Sequence, residues 1–429
     1  MFDTASRDTK GDDLQFQYYV GIDWGTQKHR VCLMSHDGKV VDERWIEHGG
    51  EGLAELVVWL GKTTSCAPAQ AAVATEVPRG AIVETLMENS FRVFSINPKQ
   101  LDRFRDRYSP AGAKDDRRDA FVLADSLRTD MHCFHAVRQD DPVLIRLRDL
   151  SRLDDSIGEE QNRVNNQFRE QLHRFFPQLL KLSPSADEPW LWELFQAAPL
   201  PPKAARLSEA KVARILRNHR IRRLGPAQVR TALAGMPLTL APGTAEAASE
   251  RALFLLPRLR LLRQQRVEIA KRIDSVLGEL SAPPACDAEG QKAEHRDAAI
   301  LLSLPGVGRH IAATMLSEAS QAIAERDYHA LRCYSGAAPV TRQSGKKTVV
   351  SRRYGCNERM QNALYHWSRV SVACDKTSKD AYARMRAAGH THGRALRGLA
   401  DRWLDVLVSM LKHNTLYDPL KRAACPSGQ

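Results

Sequence analysis

Apolar and polar residues alternate with two different periods along the first hundred residues of the chain. Short, mainly apolar runs that are typical of strands fall at residues 17–23, 29–35, 39–47, 70–75 and 92–97, with period-two alternation at 29–35. Helical spacing falls at residues 52–60 and 81–88, and a further helix is expected after Pro98. The predicted order is therefore βββαβαβα, which is the order of a mixed, ribonuclease-H-like α/β sheet.

Beyond this region the pattern becomes helical. Residues 139–183 predict one long amphipathic helix, as a coiled coil or a helical hairpin with a partner. A second long helix is predicted at residues 245–279, and the two helices could pair within one chain or between chains. Prolines and alanines are frequent at residues 183–205, which predicts a boundary or linker with one short aromatic turn at Trp190–Phe195. Residues 298–429 are predicted to form a mainly α-helical domain.

Four acidic residues lie where predicted strands end or a predicted helix begins. Asp23 ends the first strand, and Glu76 ends the fourth, which lies beside the first in such a sheet. Asp116 and Asp119 open an apolar helix and, three residues apart, share one of its faces. Each acid alone has a structural explanation, as a strand-end cap or as a helix N-terminal acid that the helix dipole stabilises.

Taken together, the four acids favour a metal site. Converging carboxylates repel one another, and at least one pKa would rise unless a cation lay among them. Mg²⁺ prefers oxygen ligands, and two such ions roughly 4 Å apart can assist an in-line phosphoryl transfer. The rival candidates for a ligand are Asp115, which is one residue out of phase with Asp119, and Glu84.

Two stretches of the C-terminal third predict contact with phosphates. Leu-Pro-Gly-Val-Gly at 304–308, before an apolar helix, resembles a helix-hairpin-helix turn, in which Gly306 and Gly308 let backbone N–H groups approach a phosphate. The alternative is a packed helical turn. Residues 340–360 have one acid, Glu358, against six basic residues: Arg342, Lys346, Lys347, Arg352, Arg353 and Arg359. That excess suits phosphate binding.

Ser344 lies inside the basic stretch, directly before Gly345. A serine hydroxyl is a weak nucleophile unless a base or a metal activates it, and no histidine is within a few residues. Any activator must therefore come from elsewhere in the chain. From spacing alone, Ser344 is more often a loop serine that bonds its own backbone.

Composition favours an anionic partner and a reducing compartment. The 429 residues carry a formal net charge of +12, which favours nucleic acid. The eight cysteines are scattered without a C-x-x-C pair, which argues against a zinc ribbon and suits the cytoplasm. No apolar run is long enough for a membrane span, and residues 1–15, predicted to be disordered, do not resemble a signal peptide.

Four motifs together resemble those of the insertion-sequence-110 family of transposases. They are Gly-Ile-Asp-Trp-Gly at Asp23, Ala-Thr-Glu-Val-Pro at Glu76, Lys-x-Asp-x-x-Asp-Ala from Lys114 to Ala120, and Gly-x-x-Pro…Gln-Ser-Gly from Gly336 to Gly345. The resemblance covers residues 18–175 and 298–390. It departs from the family pattern at residues 77–79 and 337–338.

The resemblance implies a division into domains. A disordered tail at 1–15 would precede a RuvC-like, DEDD-type catalytic domain at 16–138. A coiled-coil helix would take residues 139–183, and a linker and helical region with the second long helix would take 184–297. The C-terminal transposase domain, with the turn and the serine, would take 298–429.

The resemblance also implies an RNA-guided serine recombinase. Such proteins act as homodimers or homotetramers on double-stranded donor and target DNA, which a bound noncoding (bridge) RNA selects. Ser344 would attack a DNA phosphate and form a transient phosphoserine link, and Asp23, Glu76, Asp116 and Asp119 would hold Mg²⁺. The predicted nucleic-acid contacts are Lys114, Arg117, Arg118, Gly306, Gly308, Arg342, Gln343, Gly345, Lys346, Lys347, Arg352 and Arg353.

Two other functions stay open. A RuvC-like nuclease would hydrolyse DNA with metal-bound water and use Ser344 as a phosphate contact. A non-catalytic nucleic-acid scaffold would use the acids as helix caps. The recombinase is expected in the bacterial cytoplasm, associated with the nucleoid during the reaction.

Overall fold

The protein's structure, a computed structural model, describes residues 16–108, 115–138, 141–282, 297–345 and 347–424. The chain divides into two units, residues 1–140 and 141–429. Within the described ranges, no helix combines the length and the apolar character that crossing a membrane requires.

The first unit is built on one mixed sheet. Its strands are β1 (Tyr18–Asp23), β2 (Lys28–Ser35), β3 (Val40–Glu47), β4 (Ala71–Thr75), β5 (Arg92–Ser95) and β6 (His135–Ala136). Its helices are α1 (Gly50–Thr64), α2 (Ala81–Glu88), α3 (Pro98–Tyr108) and α4 (Asp116–Thr129). The strand order is β3-β2-β1-β4-β5-β6, with β4 parallel to both β1 and β5 and the other neighbours antiparallel. The predicted mixed α/β sheet is confirmed, and β6 is an additional short edge strand.

The centre of the sheet is buried on both faces. Val20 and Ile22 of β1 belong to one apolar cluster, together with residues of α1 and α2. Tyr19 of β1 and Cys32 of β2 belong to a second cluster, together with Leu123 and other residues of α4. Because successive strand residues point to opposite faces, β1 contributes to both cores, as do its neighbours β2 and β4.

Gly21 lets α4 pack directly on β1. A Cβ atom at this position would lie 1.9 Å from the carbonyl oxygen of Ala120 and 2.6 Å from the amide nitrogen of Ala124. Both are backbone atoms, which cannot rotate away as a flexible side chain can. The glycine therefore sets how closely the first turns of α4 approach the end of β1.

The second unit is mainly helical, with one β-hairpin of β7 (Val340–Ser344) and β8 (Lys347–Ser351). Its first seven helices are α5 (Pro142–Phe175), α6 (Pro177–Leu182), α7 (Pro189–Ala197), α8 (Pro201–Ala204), α9 (Glu209–Asn218), α10 (Pro226–Leu233) and α11 (Thr244–Ser281). The others are α12 (Asp297–Ser303), α13 (Arg309–Glu318), α14 (Ser320–Ala324), α15 (Tyr328–Tyr334), α16 (Glu358–Cys374), α17 (Lys376–Ala387), α18 (His392–His413) and α19 (Pro419–Ala424).

The two long helices pack against each other within the chain. Ion pairs join Arg258 to Glu160 and Arg266 to Asp154. The residue numbers of the partners increase along α11 and decrease along α5. The pair is therefore antiparallel. Both helices contribute to two apolar clusters, one with α6–α10 and one with α12–α18.

The interpretation of residues 183–205 as a linker is wrong. This stretch contains α7 and α8, and Trp190 and Trp192 are among the most deeply buried side chains of the unit. The indole N–H of Trp192 donates to the carbonyl oxygen of Ala186 at 2.8 Å. Pro189 and Pro201 each begin a helix, where the missing proline N–H costs no hydrogen bond.

Gly21→Ala should lower the free energy of unfolding by about 3 kcal/mol, because α4 must move off β1 to admit the new methyl group. Gly61→Ala in α1 is the matched control, since its Cβ atom meets nothing within 4 Å. We expect the control to be neutral or stabilising by up to roughly 1 kcal/mol. Urea denaturation followed by circular dichroism measures both, and equal stability of the two variants would contradict this packing argument.

Candidate active site

The ends of β1 and β4 bring two of the predicted acids to the same edge of the sheet. The strands are parallel, and Ile22 is paired with Thr75. The residue after Ile22 is Asp23, and the residue after Thr75 is Glu76. Both are half-buried, so each carboxylate lies at the boundary between the core and solvent.

One arginine side chain binds both Asp119 and Glu76. Arg105 of α3 donates from Nε to Oδ1 of Asp119 at 2.7 Å and from Nη2 to Oδ2 at 3.0 Å. The same Nη2 donates to Oε1 of Glu76 at 2.8 Å. Asp119 is almost completely buried, with 1% of its side chain exposed, so the guanidinium is the charge that compensates it.

The other acids near this site have different environments. Asp116 is the first residue of α4 and is exposed, one turn before the buried Asp119. Asp115 is the N-cap of α4, and its side chain accepts from the amide of Arg117 at 3.3 Å. Glu84 is exposed in the first turn of α2. The structure therefore gives Asp115 a capping role.

The oxygen donors of this site suit a hard divalent cation, and Arg105 shows that the site holds positive charge. Burial lowers the pKa of Arg105, but the hydrogen bond and charge of Asp119 and the charge of Glu76 outweigh that effect and raise it. In the part of the chain that the structure describes, no group of three or more His, Cys, Asp or Glu side chains is arranged to hold an ion. The guanidinium occupies the space between Glu76 and Asp119.

Ser344 lies at the tip of the β7–β8 hairpin in the second unit. It is the last residue of β7 and pairs with Lys347. Gly345 follows with φ +55°, a left-handed conformation that favours glycine. Ser344 is exposed, and so are Arg342 and Gln343. The serine therefore ends a strand, rather than lying in an irregular loop.

The basic residues of 340–360 fall into two groups. Lys347 and Arg352 are exposed, and the guanidinium of Arg352 lies 5.4 Å from the centre of the Tyr354 ring. Arg353 is half-buried, and its Nε lacks a hydrogen-bond partner among the described residues. Arg359 instead pairs with Glu318 at 3.1 Å and with Asp155. Arg359 is therefore part of the fold, and among the described basic residues of this stretch it is the one that pairs with acids across the helices.

The glycine turn between α12 and α13 is partly a packed structural turn. Gly306 has φ +85°, and a Cβ atom there would lie 3.0 Å from the amide nitrogen of Ser371 in α16. The indole of Trp367 donates to the carbonyl oxygen of Pro305 at 3.0 Å. Gly308, the N-cap of α13, is exposed and has open space around it. Of the two glycines, Gly308 is the one that a ligand can approach.

The remaining predicted nucleic-acid contacts lie in the first unit or outside the described residues. Arg117 donates to Glu43 at 2.6 Å, and Glu43 also accepts from Arg30 at 2.6 Å. Arg118 is half-buried. Lys114 and Lys346 lie outside the described residues.

Comparison with known proteins shows to which family this chain belongs. Residues 20–177 match the family of DEDD transposases of IS110, and residues 298–383 match the transposase family IS116/IS110/IS902. The chain is 30% identical over 416 residues, 95% of its length and 97% of the relative, to the "Mini-circle putative transposase for IS117" of Streptomyces coelicolor. The chain belongs to the IS110 family of transposases.

Two further relatives differ in how much of the chain they cover. The "Putative transposase y4uE" of Sinorhizobium fredii is 50% identical over 206 residues, which is 48% of this chain and 57% of that protein. The "Insertion element IS110 uncharacterized 43.6 kDa protein" of Streptomyces coelicolor is 28% identical over 93% of this chain and 95% of that protein. Membership of a DEDD transposase family indicates a DNA-processing enzyme and suggests that it uses a divalent metal.

A buried histidine, His29, paired with the exposed His48, supports the turn that follows Asp23 in this transposase, and the sequence interpretation missed it. His29 is fully buried, and its Nδ1 accepts from the amide of Gly25 at 3.4 Å. Its Nε2 lies 2.9 Å from Nδ1 of His48. The two histidines are 19 residues apart on β2 and after β3, so only the strand register could have paired them. Burial, and secondarily the charge of His48, lower the pKa of His29.

The stability of the protein should fall as pH drops below 6.5, the ordinary pKa of His29. Below that pH, His29 is protonated in the unfolded chain but stays neutral in the folded chain until its lower pKa is reached. A fall in pH therefore favours unfolding. Above 6.5 both states carry a neutral ring, and this contribution is constant. Thermal unfolding of wild type and His29→Asn at pH 5.5, 6.5 and 7.5 measures the effect. The variant should lose part of the pH dependence; an unchanged slope would exclude His29 as its source.

Proposed function

We propose that this transposase cuts and rejoins DNA with Asp23, Glu76, Asp116 and Asp119 as one functional group and the hydroxyl of Ser344 as the other. The observation that carries the proposal is the joining of Glu76 and Asp119 by one guanidinium, at the sheet edge that also bears Asp23. Carboxylates gathered in this way attract positive charge, as the guanidinium of Arg105 shows. Mg²⁺, as two ions, is the partner that suits phosphoryl transfer.

The acids would act by holding the cation in a fixed position. Asp23 and Glu76 are carried by neighbouring strands, and Asp119 by a helix that packs on β1, so core packing limits their movement. Asp116, exposed one turn before Asp119, would face the bound nucleic acid. When bound, Mg²⁺ would lower the pKa of a hydroxyl group and neutralise charge on the phosphoryl oxygens.

Ser344 would supply the nucleophile. Its Oγ loses its proton and forms a bond to the phosphorus of a DNA phosphodiester, the bond from phosphorus to one deoxyribose oxygen breaks, and that oxygen takes up a proton in exchange. The products are a phosphoserine link and a free DNA hydroxyl. Attack by a hydroxyl of another DNA end reverses the exchange and releases Ser344. The exposed hairpin tip supports this role, because the phosphates of a duplex are reachable only from an exposed group.

Ser344→Ala should reduce strand cleavage by on the order of a thousandfold or more, since the nucleophile is gone, and should leave DNA affinity unchanged. The control is Thr348→Ala, which removes a hydroxyl from the facing strand of the same hairpin. Labelled DNA should remain on denatured wild type and on the Thr348 variant only.

Two other results would redirect the assignment. Cleavage at the wild-type rate by Ser344→Ala, without protein-bound DNA, would favour a nuclease that uses metal-bound water. DNA binding without cleavage, unaltered by Mg²⁺ or by Asp23→Asn, would favour a scaffold.

The partners follow from charge and from exposed apolar groups. We infer that a noncoding RNA binds the protein and selects donor and target DNA, in keeping with the net charge of +12.

We also infer a homodimer or homotetramer joined through a coiled coil. Phe254 and Leu261 of α11 are exposed by 83% and 53% and lie one heptad apart, as contacts between helices do. The strand order supports a RuvC-like catalytic domain.

The guide-RNA proposal predicts that nucleic acid copurifies with the protein at low salt. The ratio of absorbance at roughly 260 and 280 nm should exceed that of protein alone, and RNase, unlike DNase, should restore it. Raising the salt concentration should release the RNA, because phosphate contacts dominate such affinity. Protein that purifies free of RNA, or with DNA alone, would contradict the guide assignment.

A further inference from the structure

We propose that Arg105 is the resident cation of the acid site, which holds Glu76 and Asp119 together until a divalent cation displaces it. The inference rests on the proposed function, in which these acids bind Mg²⁺. It makes Arg105 a positioning residue, since it acts through Glu76 and Asp119, which it orders.

The contacts of Arg105 use the oxygens that a metal would need. Its guanidinium takes both oxygens of Asp119 and one of Glu76, at 2.7, 3.0 and 2.8 Å. A divalent cation bound by the same oxygens would lie at about 2.1 Å from them. A guanidinium and a metal ion that share these three oxygen atoms would repel each other strongly. Water screens this repulsion poorly, because Asp119 is buried. The site therefore holds either the guanidinium or the metal.

Arg105 has a second partner to which it can withdraw. Its Nη1 lies 2.5 Å from Oδ1 of Asp102, one turn earlier on α3. Asp102 has 66% of its side chain exposed, so this pair faces solvent. When a metal takes Glu76 and Asp119, Arg105 keeps a carboxylate partner and is not left as a buried, unpaired charge.

The helix that carries Arg105 is held to the unit by several side chains: Phe104 packs on the apolar cluster of α4, and the hydroxyl of Tyr108 donates to Asp125. Leu101 is the residue of α3 that is buried, and four of the eleven residues of the helix are basic: Lys99, Arg103, Arg105 and Arg107. Arg105 already reaches Asp102 on the same helix, so its guanidinium can leave Glu76 and Asp119 by rotation of its own side chain. Withdrawal of Arg105 therefore leaves α3, Asp119 and β4 in place.

Competition between the two cations has a measurable consequence. If the metal-free protein spends nearly all its time with Arg105 between the acids, the measured metal affinity is reduced by the small fraction of time that the site is open. Removing the guanidinium removes that competition. It also leaves Glu76 and Asp119 without compensation when no metal is present, so the variant should depend on metal for stability.

The test uses the full-length chain and Mn²⁺ as the probe, with free Mn²⁺ measured by electron paramagnetic resonance. Arg105→Gln should bind Mn²⁺ about 10- to 100-fold more tightly than wild type. It should melt at a lower temperature than wild type in EDTA and recover most of the difference in Mn²⁺. Arg107→Gln is the control, because Arg107 is on the same helix and pairs with Asp130. It should change neither quantity.

A second variant tests the same idea in the opposite direction. Asp102→Asn removes the alternative partner from an exposed position, so it should fold normally and bind Mn²⁺ several-fold more weakly than wild type. The proposal is overturned if Arg105→Gln binds Mn²⁺ no more tightly than wild type, or if Asp102→Asn binds it as well as wild type. If neither wild type nor Arg105→Gln binds Mn²⁺, it is the proposed metal site that fails.

Discussion

The approach of α4 to β1 at Gly21 is the contact on which the acid site depends. With no side chain between them, the carbonyl oxygen of Ala120 lies against the strand. Asp119 is the preceding residue, so its depth in the protein is set by the same contact. Asp23 ends β1, Glu76 directly follows β4 and Asp119 lies in α4, and because these elements share apolar cores their packing largely determines the spacing of the acids.

In the second unit, buried ion pairs connect helices that are distant in sequence. Glu318 of α13 accepts from Arg152 of α5 at 2.8 and 3.0 Å and lies 3.1 Å from Arg359 of α16. Burial alone would raise the pKa of Glu318, but the bonds and charges of Arg152, Asn357 and Arg359 hold it below the usual range. A buried carboxylate that loses its partner is strongly destabilising, so the three helices are held in one arrangement.

Much of the first unit could be predicted because its signals are local. Short apolar runs located five strands to within about two residues, and Asp23 and Glu76 followed from where two of those strands end. Arg105 could not be predicted, since α3 has several basic residues and only the tertiary arrangement shows which one reaches Asp119. The β7–β8 hairpin was missed because its strands are exposed on both faces and so lack apolar alternation. The helices α7 and α8 were missed because prolines that begin helices resemble prolines that interrupt them.

The 38-residue helix α11 has a mechanical consequence. At 1.5 Å per residue it is about 57 Å long, and it continues through Pro257 with its first half in one apolar cluster and its second half in the other. Together with the antiparallel α5, it forms a stiff connection that is packed into an apolar cluster at each end. A displacement of the α6–α10 cluster would be transmitted to the α12–α18 cluster, because a hydrogen-bonded helix stretches and bends far less readily than a loop.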